Sequence, residues 1–135
     1  MSGPEEVIVR SVLVIDDDPF IRDLAAVALR RSGFVVNVAK DGREGLRMLE
    51  AQSVDLVVTD IFMPEADGLE VLRAIRRNRP EVGILAISGG SELLGDGYLE
   101  ASQRLGADRI MRKPFNVSEL VDAVRDMIAA SAPPG

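Results

Sequence analysis

VLVIDDDP, residues 12–19, passes without interruption from four aliphatic side chains to three carboxylates and a proline. A short, continuous apolar run is the pattern of a strand covered on both faces. Proline lacks an N–H and has a fixed φ, so it is tolerated in the first turn of a helix. Val12 to Ile15 therefore reads as a buried strand, Asp18 as a helix cap and Pro19 as the start of a helix. Ile21, Leu24, Ala25 and Ala28 recur at helical spacing, and Gly33 can supply the left-handed residue that ends the helix.

The same unit repeats along the chain. Phe34 to Val38 reads as a second strand, followed by Asp41-Gly42 and a helix through Leu46 and Leu49. Leu56 to Thr59 is the third strand. After a turn marked by Pro64, Asp67 with Glu70 three residues on resembles a capping box ahead of Val71, Leu72 and Ile75. Gly83 to Ile87 is the fourth strand. A connection with Gly89, Gly90, Gly95 and Gly97 leads to a fourth helix ending near Leu105, with Gly106 as its stop. Arg109 to Met111 is a short fifth strand. Asn116 caps the last helix, which carries Val117, Leu120, Val121, Val124 and Ile128 on one face. Alternating strands and helices, with strands apolar throughout, predict a doubly wound α/β domain with a parallel sheet between two helical layers. In such folds the site lies beyond the carboxyl ends of the strands. The residues there are Asp16, Asp17 and Asp18, then Asp60, Ser88 and Lys113.

Composition narrows the chemistry. A chain of 135 residues accommodates one domain, and the expectation is a stand-alone unit without an appended DNA-binding or catalytic domain. Neither Cys nor His is present, which excludes disulfides, thiolate and imidazole metal sites, and serine triads. With 16 Lys and Arg against 22 Asp and Glu the net charge is −6, so direct nucleic-acid binding is not expected. No apolar run spans a bilayer and no signal peptide is visible, so a cytoplasmic protein without a membrane partner is expected.

Carboxylates gathered at one sheet edge repel each other unless a proton or a cation compensates. Two or three carboxylates from these strand ends suit a hard divalent cation, and Mg²⁺ is the expected cofactor. An ammonium group from Lys113 and a hydroxyl from Ser88 would complete an oxyanion pocket suited to phosphoryl transfer.

The segments LVIDDDP (Leu13 to Pro19), TDIFMPEADG (Thr59 to Gly68), AISG (Ala86 to Gly89) and MRKPF (Met111 to Phe115) resemble the motifs of response-regulator receiver domains. The resemblance covers about Ser11 to Ala129 in the family's order. It implies a flavodoxin-like (βα)5 three-layer sandwich of strand order 2-1-3-4-5, with a receiver domain over 11–130, an N-terminal extension over 1–10 and a disordered tail over 131–135. It also implies that Asp60 is the phosphoacceptor and that Asp16 and Asp17, with Asp60 and the backbone carbonyl of Phe62, hold Mg²⁺. Ser88 would bond one phosphoryl oxygen and Lys113 another, with the Lys113-Pro114 peptide cis. The implied partners are a sensor histidine kinase or histidine phosphotransfer protein as donor and an unknown downstream protein. The latter would meet a surface near Leu99 to Ile128. Two positions depart from the family pattern. Ile110 stands where Tyr or Phe often reports activation. Phe62 offers no hydrogen bond to orient an attacking water, so slow self-dephosphorylation is expected.

Two other functions fit parts of the sequence. Asp16 and Asp18 match the Asp-x-Asp start of a haloacid-dehalogenase-type, Mg²⁺-dependent phosphohydrolase, with Asp16 as nucleophile. That reading leaves the segment from Asp60 to Gly68 unexplained. An adaptor that binds without phosphorylation is the third. The basic cluster Arg76, Arg77 and Arg79 reads as a complement to the helix macrodipole, not as a nucleic-acid patch.

Overall fold

The computed structural model describes residues 10–63, 66–88, 103–104 and 106–131. Strand β1 (Ser11–Ile15) is followed by α1 (Pro19–Arg31), β2 (Val35–Ala39), α2 (Gly42–Ala51) and β3 (Leu56–Asp60). Next come β4 (Phe62–Met63), β5 (Ala66–Asp67), α3 (Gly68–Asn78), β6 (Gly83–Ser88), β7 (Arg109–Arg112) and α4 (Val117–Ser131). The main sheet is parallel throughout, with order β2-β1-β3-β6-β7, which is 2-1-3-4-5 among its five strands. The glycines between Ser88 and Gly106, most of the fourth predicted helix, Pro64 and both expected terminal extensions apart from Arg10 and Ser131 lie outside the described residues.

Alternation along each strand builds two cores. Leu13, Ile15, Val57 and Ile84 face α2 and α3, packing with Leu49, Leu72 and Ile75. Val12, Val14, Val58 and Leu85 face α1 and α4, packing with Leu29, Leu120 and Val124. Burial on both faces explains why the strand sequences are uniformly aliphatic.

Local signals set the helix ends. The Asp18 carboxylate accepts from the N–H groups of Phe20 at 2.9 Å and Ile21 at 3.4 Å. Asp41 accepts from Glu44 N–H at 2.8 Å, and Asn116 from Glu119 N–H at 2.9 Å. Each satisfies a donor that the first helical turn leaves without an intrahelical partner. Gly33, at φ +98°, ends α1.

The structure shifts several element ends by a residue and adds detail that the sequence reading lacked. Phe34 does not join β2, because its N–H bonds Leu29 O at 3.2 Å and closes the end of α1. The carbonyl of Arg10, just before β1, accepts from Val35 N–H at 2.9 Å. α4 runs through Ser131, one residue into the expected tail. β4 and β5 form a small antiparallel pair, too short to show a period-two pattern. Of the apolar positions whose spacing marked α1, Leu24 is 44% exposed, and Ala25, Ala26 and Leu29 take the buried face.

Arg76 does more than answer the helix dipole. Its guanidinium donates to the carbonyls of Pro80 at 2.7 Å, Val82 at 3.1 Å and Gly106 at 2.6 Å, and to Asp108 at 2.9 Å. It thereby fastens the end of α3 to the turn before β7. Gly106 has φ +122°, and a Cβ there would crowd the Arg76 side chain.

Leu72 is fully buried whereas Val35 is 49% exposed. Leu72→Ala should therefore cost about 2–5 kcal/mol in urea denaturation, and Val35→Ala no more than about 0.5 kcal/mol. Equal costs at the two positions would contradict the two-sided core.

Candidate functional site

Parallel strands all deliver their last residues to one edge. β1 ends just before Asp16, β3 ends at Asp60, β6 ends at Ser88, and Lys113 follows β7. Asp16, Asp60 and Ser88 are 2%, 4% and 1% exposed, unusually buried for polar side chains, and Asp17 beside them is exposed.

Lys113 spans the carboxylates. Its Nζ lies 2.9 Å from Asp60 Oδ2 and 3.4 Å from Asp16 Oδ2. Carboxylate oxygens of Asp16, Asp17 and Asp60 all lie within 4.8 Å of one another. Ser88 stands one residue past Ile87, the register partner of Asp60, and its carbonyl accepts from Lys113 N–H at 2.8 Å. The peptide between Lys113 and Pro114 is cis. All of these sequence-selected residues thus converge on one edge of the sheet. The side chain of Phe62 lies outside the described residues, but its backbone opens β4 two residues after Asp60.

Asp16 is held on every side. Its N–H bonds Ala39 O at 3.2 Å, its Oδ1 accepts from Asp18 N–H at 2.9 Å, and its carbonyl accepts from Arg22 Nη1 at 3.1 Å. Asp18 is used in capping, and the carboxylate group around Asp16 contains Asp17 and Asp60 instead. This arrangement gives no support to the Asp-x-Asp phosphohydrolase reading.

Arg22 and Gly68 were not singled out from sequence. Arg22 carried no signal, since a bond to a backbone carbonyl leaves no trace in residue type. Gly68 carried one, the final glycine of the Thr59 to Gly68 segment. A Cβ on Gly68 would run into the backbone of Ile61, so only glycine lets the start of α3 approach the residue after Asp60 this closely.

Electrostatics define what the cluster can do. Burial, with the Asp60 charge adding to it, holds the Asp16 carboxyl above its ordinary value of 3.8, against the opposing pull of the Asp18 N–H and Lys113. Burial also works against the Lys113 charge, but the hydrogen bond and charge of Asp60, with Asp16 behind it, outweigh burial and raise the ammonium above 10.5. Three carboxylates thus face one ammonium. The donors are all hard oxygens, two of them buried and one open to solvent, and this set fits a divalent cation such as Mg²⁺.

A raised Asp16 value means that the folded chain keeps a proton there that the unfolded chain releases. Its contribution to stability therefore falls as the pH rises from 3.8 through the folded value. In metal-free buffer, urea denaturation should show this fall in the parent and not in Asp16→Asn, so parallel pH–stability curves would refute it.

The geometry agrees with comparisons to known proteins. The family model described as the response regulator receiver domain matches residues 12–125. The transcriptional regulatory protein CpxR of Escherichia coli is 38% identical over 120 residues, covering 89% of this chain and 50% of that protein. The response regulator MprA of Mycolicibacterium vanbaalenii is 34% identical over 122 residues, covering 90% and 52%. The chain spans about half the length of the curated relatives it matches. The crystal structure of a CheY-like receiver domain protein from Methanospirillum hungatei superposes with a TM-score of 0.85 at 27% identity, covering 92% of this chain and 97% of that one. The chain belongs to the family of response regulator receiver domains.

Proposed function

We propose that this receiver domain works as a phosphorylation switch in which Asp60 accepts a phosphoryl group from a phosphohistidine. The donor is a sensor histidine kinase or a histidine phosphotransfer protein. A carboxylate oxygen of Asp60 attacks phosphorus in line, the new O–P bond forms as the donor's N–P bond breaks, and the departing imidazole takes up a proton. The observation that carries this reading is the Lys113 ammonium 2.9 Å from Asp60 Oδ2. A cation already against the acceptor can stay with the charge as it moves onto the phosphoryl oxygens.

Asp16 and Asp17, with Asp60 and the Phe62 backbone carbonyl, are assigned to hold Mg²⁺. When bound, the ion neutralises the charge gathered on the transferring group. Arg22 and the Asp18 N–H keep Asp16 oriented for this role. The Ser88 hydroxyl is assigned to one phosphoryl oxygen. A contact made only in the phosphorylated state biases the domain between two conformations, and a downstream protein reads the difference on the β7 and α4 face. The chain's chemistry is confined to gaining and losing its own phosphoryl group. It makes no direct contact with nucleic acid, consistent with its net charge of −6. Among the described residues no helix is long and apolar enough to cross a membrane, and we assign the exchange to the cytoplasm.

Treatment with a small phosphodonor such as acetyl phosphate in Mg²⁺, followed by mass spectrometry of the peptides, should map the modification to Asp60, and Asp60→Asn should take up none. Modification at Asp16 would overturn the assignment. Mg²⁺ at about 100 times its Kd should add about 2.7 kcal/mol of stability, a rise of several degrees in Tm. Asp17→Asn should abolish that rise while stabilising the metal-free protein through reduced carboxylate repulsion.

A further inference from the structure

On a chain of net charge −6, one helical layer is basic. Helices α2 and α3 pack side by side over the same face of the sheet, and each carries two arginines one turn apart, Arg43 with Arg47 and Arg73 with Arg77. All four are exposed, and none makes a hydrogen bond or ion pair among the described residues. Glu50 and Glu70, exposed on the same two helices, leave them unpaired. The arginines that serve the fold look different, since Arg76 and Arg79 are half-buried and donate to backbone carbonyls. The exposed four do nothing comparable. Like charges four residues apart destabilise a helix, and Arg43, the second residue of α2, stands where a cation opposes the macrodipole. Only Arg77 lies in a last turn, where the macrodipole favours it.

We propose that the α2–α3 face docks an acidic helix of another protein, one with a carboxylate at every fourth position. The chemistry of the face selects that partner. All four cations are Arg, and a planar guanidinium fork matches a carboxylate with two parallel hydrogen bonds. Residues four apart repeat every ~6 Å along a helix axis, so acids at i and i+4 of a partner helix match the spacing within each arginine pair. Both α2 and α3 return from the end of one parallel strand to the start of the next, so they run in the same direction and a third helix can lie along them. Glu50 and Glu70 interrupt the basic surface. That mixture disfavours a uniform polyanion such as nucleic acid or a lipid surface, whereas a helix can meet each glutamate with a neutral or basic side chain. This inference does not rest on the phosphoacceptor assignment, since none of these side chains belongs to the carboxylate cluster.

Fluorescence anisotropy with the whole chain tests it. The probe is a labelled, alanine-rich helical peptide with glutamate at every fourth position, and the control has the same composition with its glutamates in one block. The parent should bind the probe more tightly than the control, with an affinity that falls as salt rises. Arg43→Glu with Arg47→Glu sets like charges together and should weaken binding by more than about tenfold. Arg73→Glu with Arg77→Glu should do the same. Neither pair should lower Tm, because the four side chains are exposed and unpaired in the free chain. A probe with lysine in place of glutamate should bind the variant carrying all four substitutions more tightly than it binds the parent. No binding of the glutamate probe at low salt overturns the proposal, and so does equal binding of the blocked control. Undiminished binding by either double variant places the peptide elsewhere on the chain and overturns it too. Tighter binding of single-stranded DNA or of anionic vesicles than of the probe would assign the face to a polyanion instead.

Discussion

Repulsion among carboxylates at one edge of a sheet is the constraint around which this domain is arranged. Asp16 and Asp60 are almost entirely withdrawn from water, and a carboxylate oxygen of their neighbour Asp17 lies within 4.8 Å of both. Like charges at that spacing destabilise the fold unless something of opposite sign lies among them. Lys113 supplies that charge in part, with its ammonium bonded to two of the three. The imbalance that remains is one that a divalent cation would offset.

The fold makes such a cluster possible by separating two tasks. Aliphatic strands buried on both faces carry the stability, and the two cores meet only through the sheet. The strand ends are then free to bear side chains that a core could not tolerate. Lys113 reaches the acids because β7 lies beside β6, which lies beside β3, while Asp16 arrives from the far side through β1. Ties at a distance hold that order. The Arg76 guanidinium fixes the turn ahead of β7, and Asp108 at that turn accepts from Ile84 N–H at 2.8 Å.

A parallel sheet also leaves its outermost helices partly bare, and α1 illustrates the consequence. The spacing of Ile21, Leu24, Ala25 and Ala28 identified the helix correctly but not which residues it buries. Ala25, Ala26 and Leu29 meet the core, and Phe20, Leu24 and Val27 face outward. Helical periodicity specifies a stripe, and it cannot say which of two apolar stripes on one helix finds the core.

What the amino-acid order determined was everything local. Continuous apolar runs marked the strands, Asp18 and Asn116 marked helix starts, Gly33 marked a helix end, and the four motif segments pointed to the family and to Asp16, Asp17, Asp60, Ser88 and Lys113. These features are legible because each depends on neighbours within a turn or a strand. Tertiary structure alone decided that Lys113 stands 2.9 Å from a residue 53 positions earlier, that Arg22 holds the Asp16 carbonyl, and that Arg76 welds α3 to the β7 turn. It also decided that Phe34 leaves the strand to close a helix. Such contacts depend on strand order and on the close approach of backbones, and neither quantity is written in the spacing of residue types along the chain.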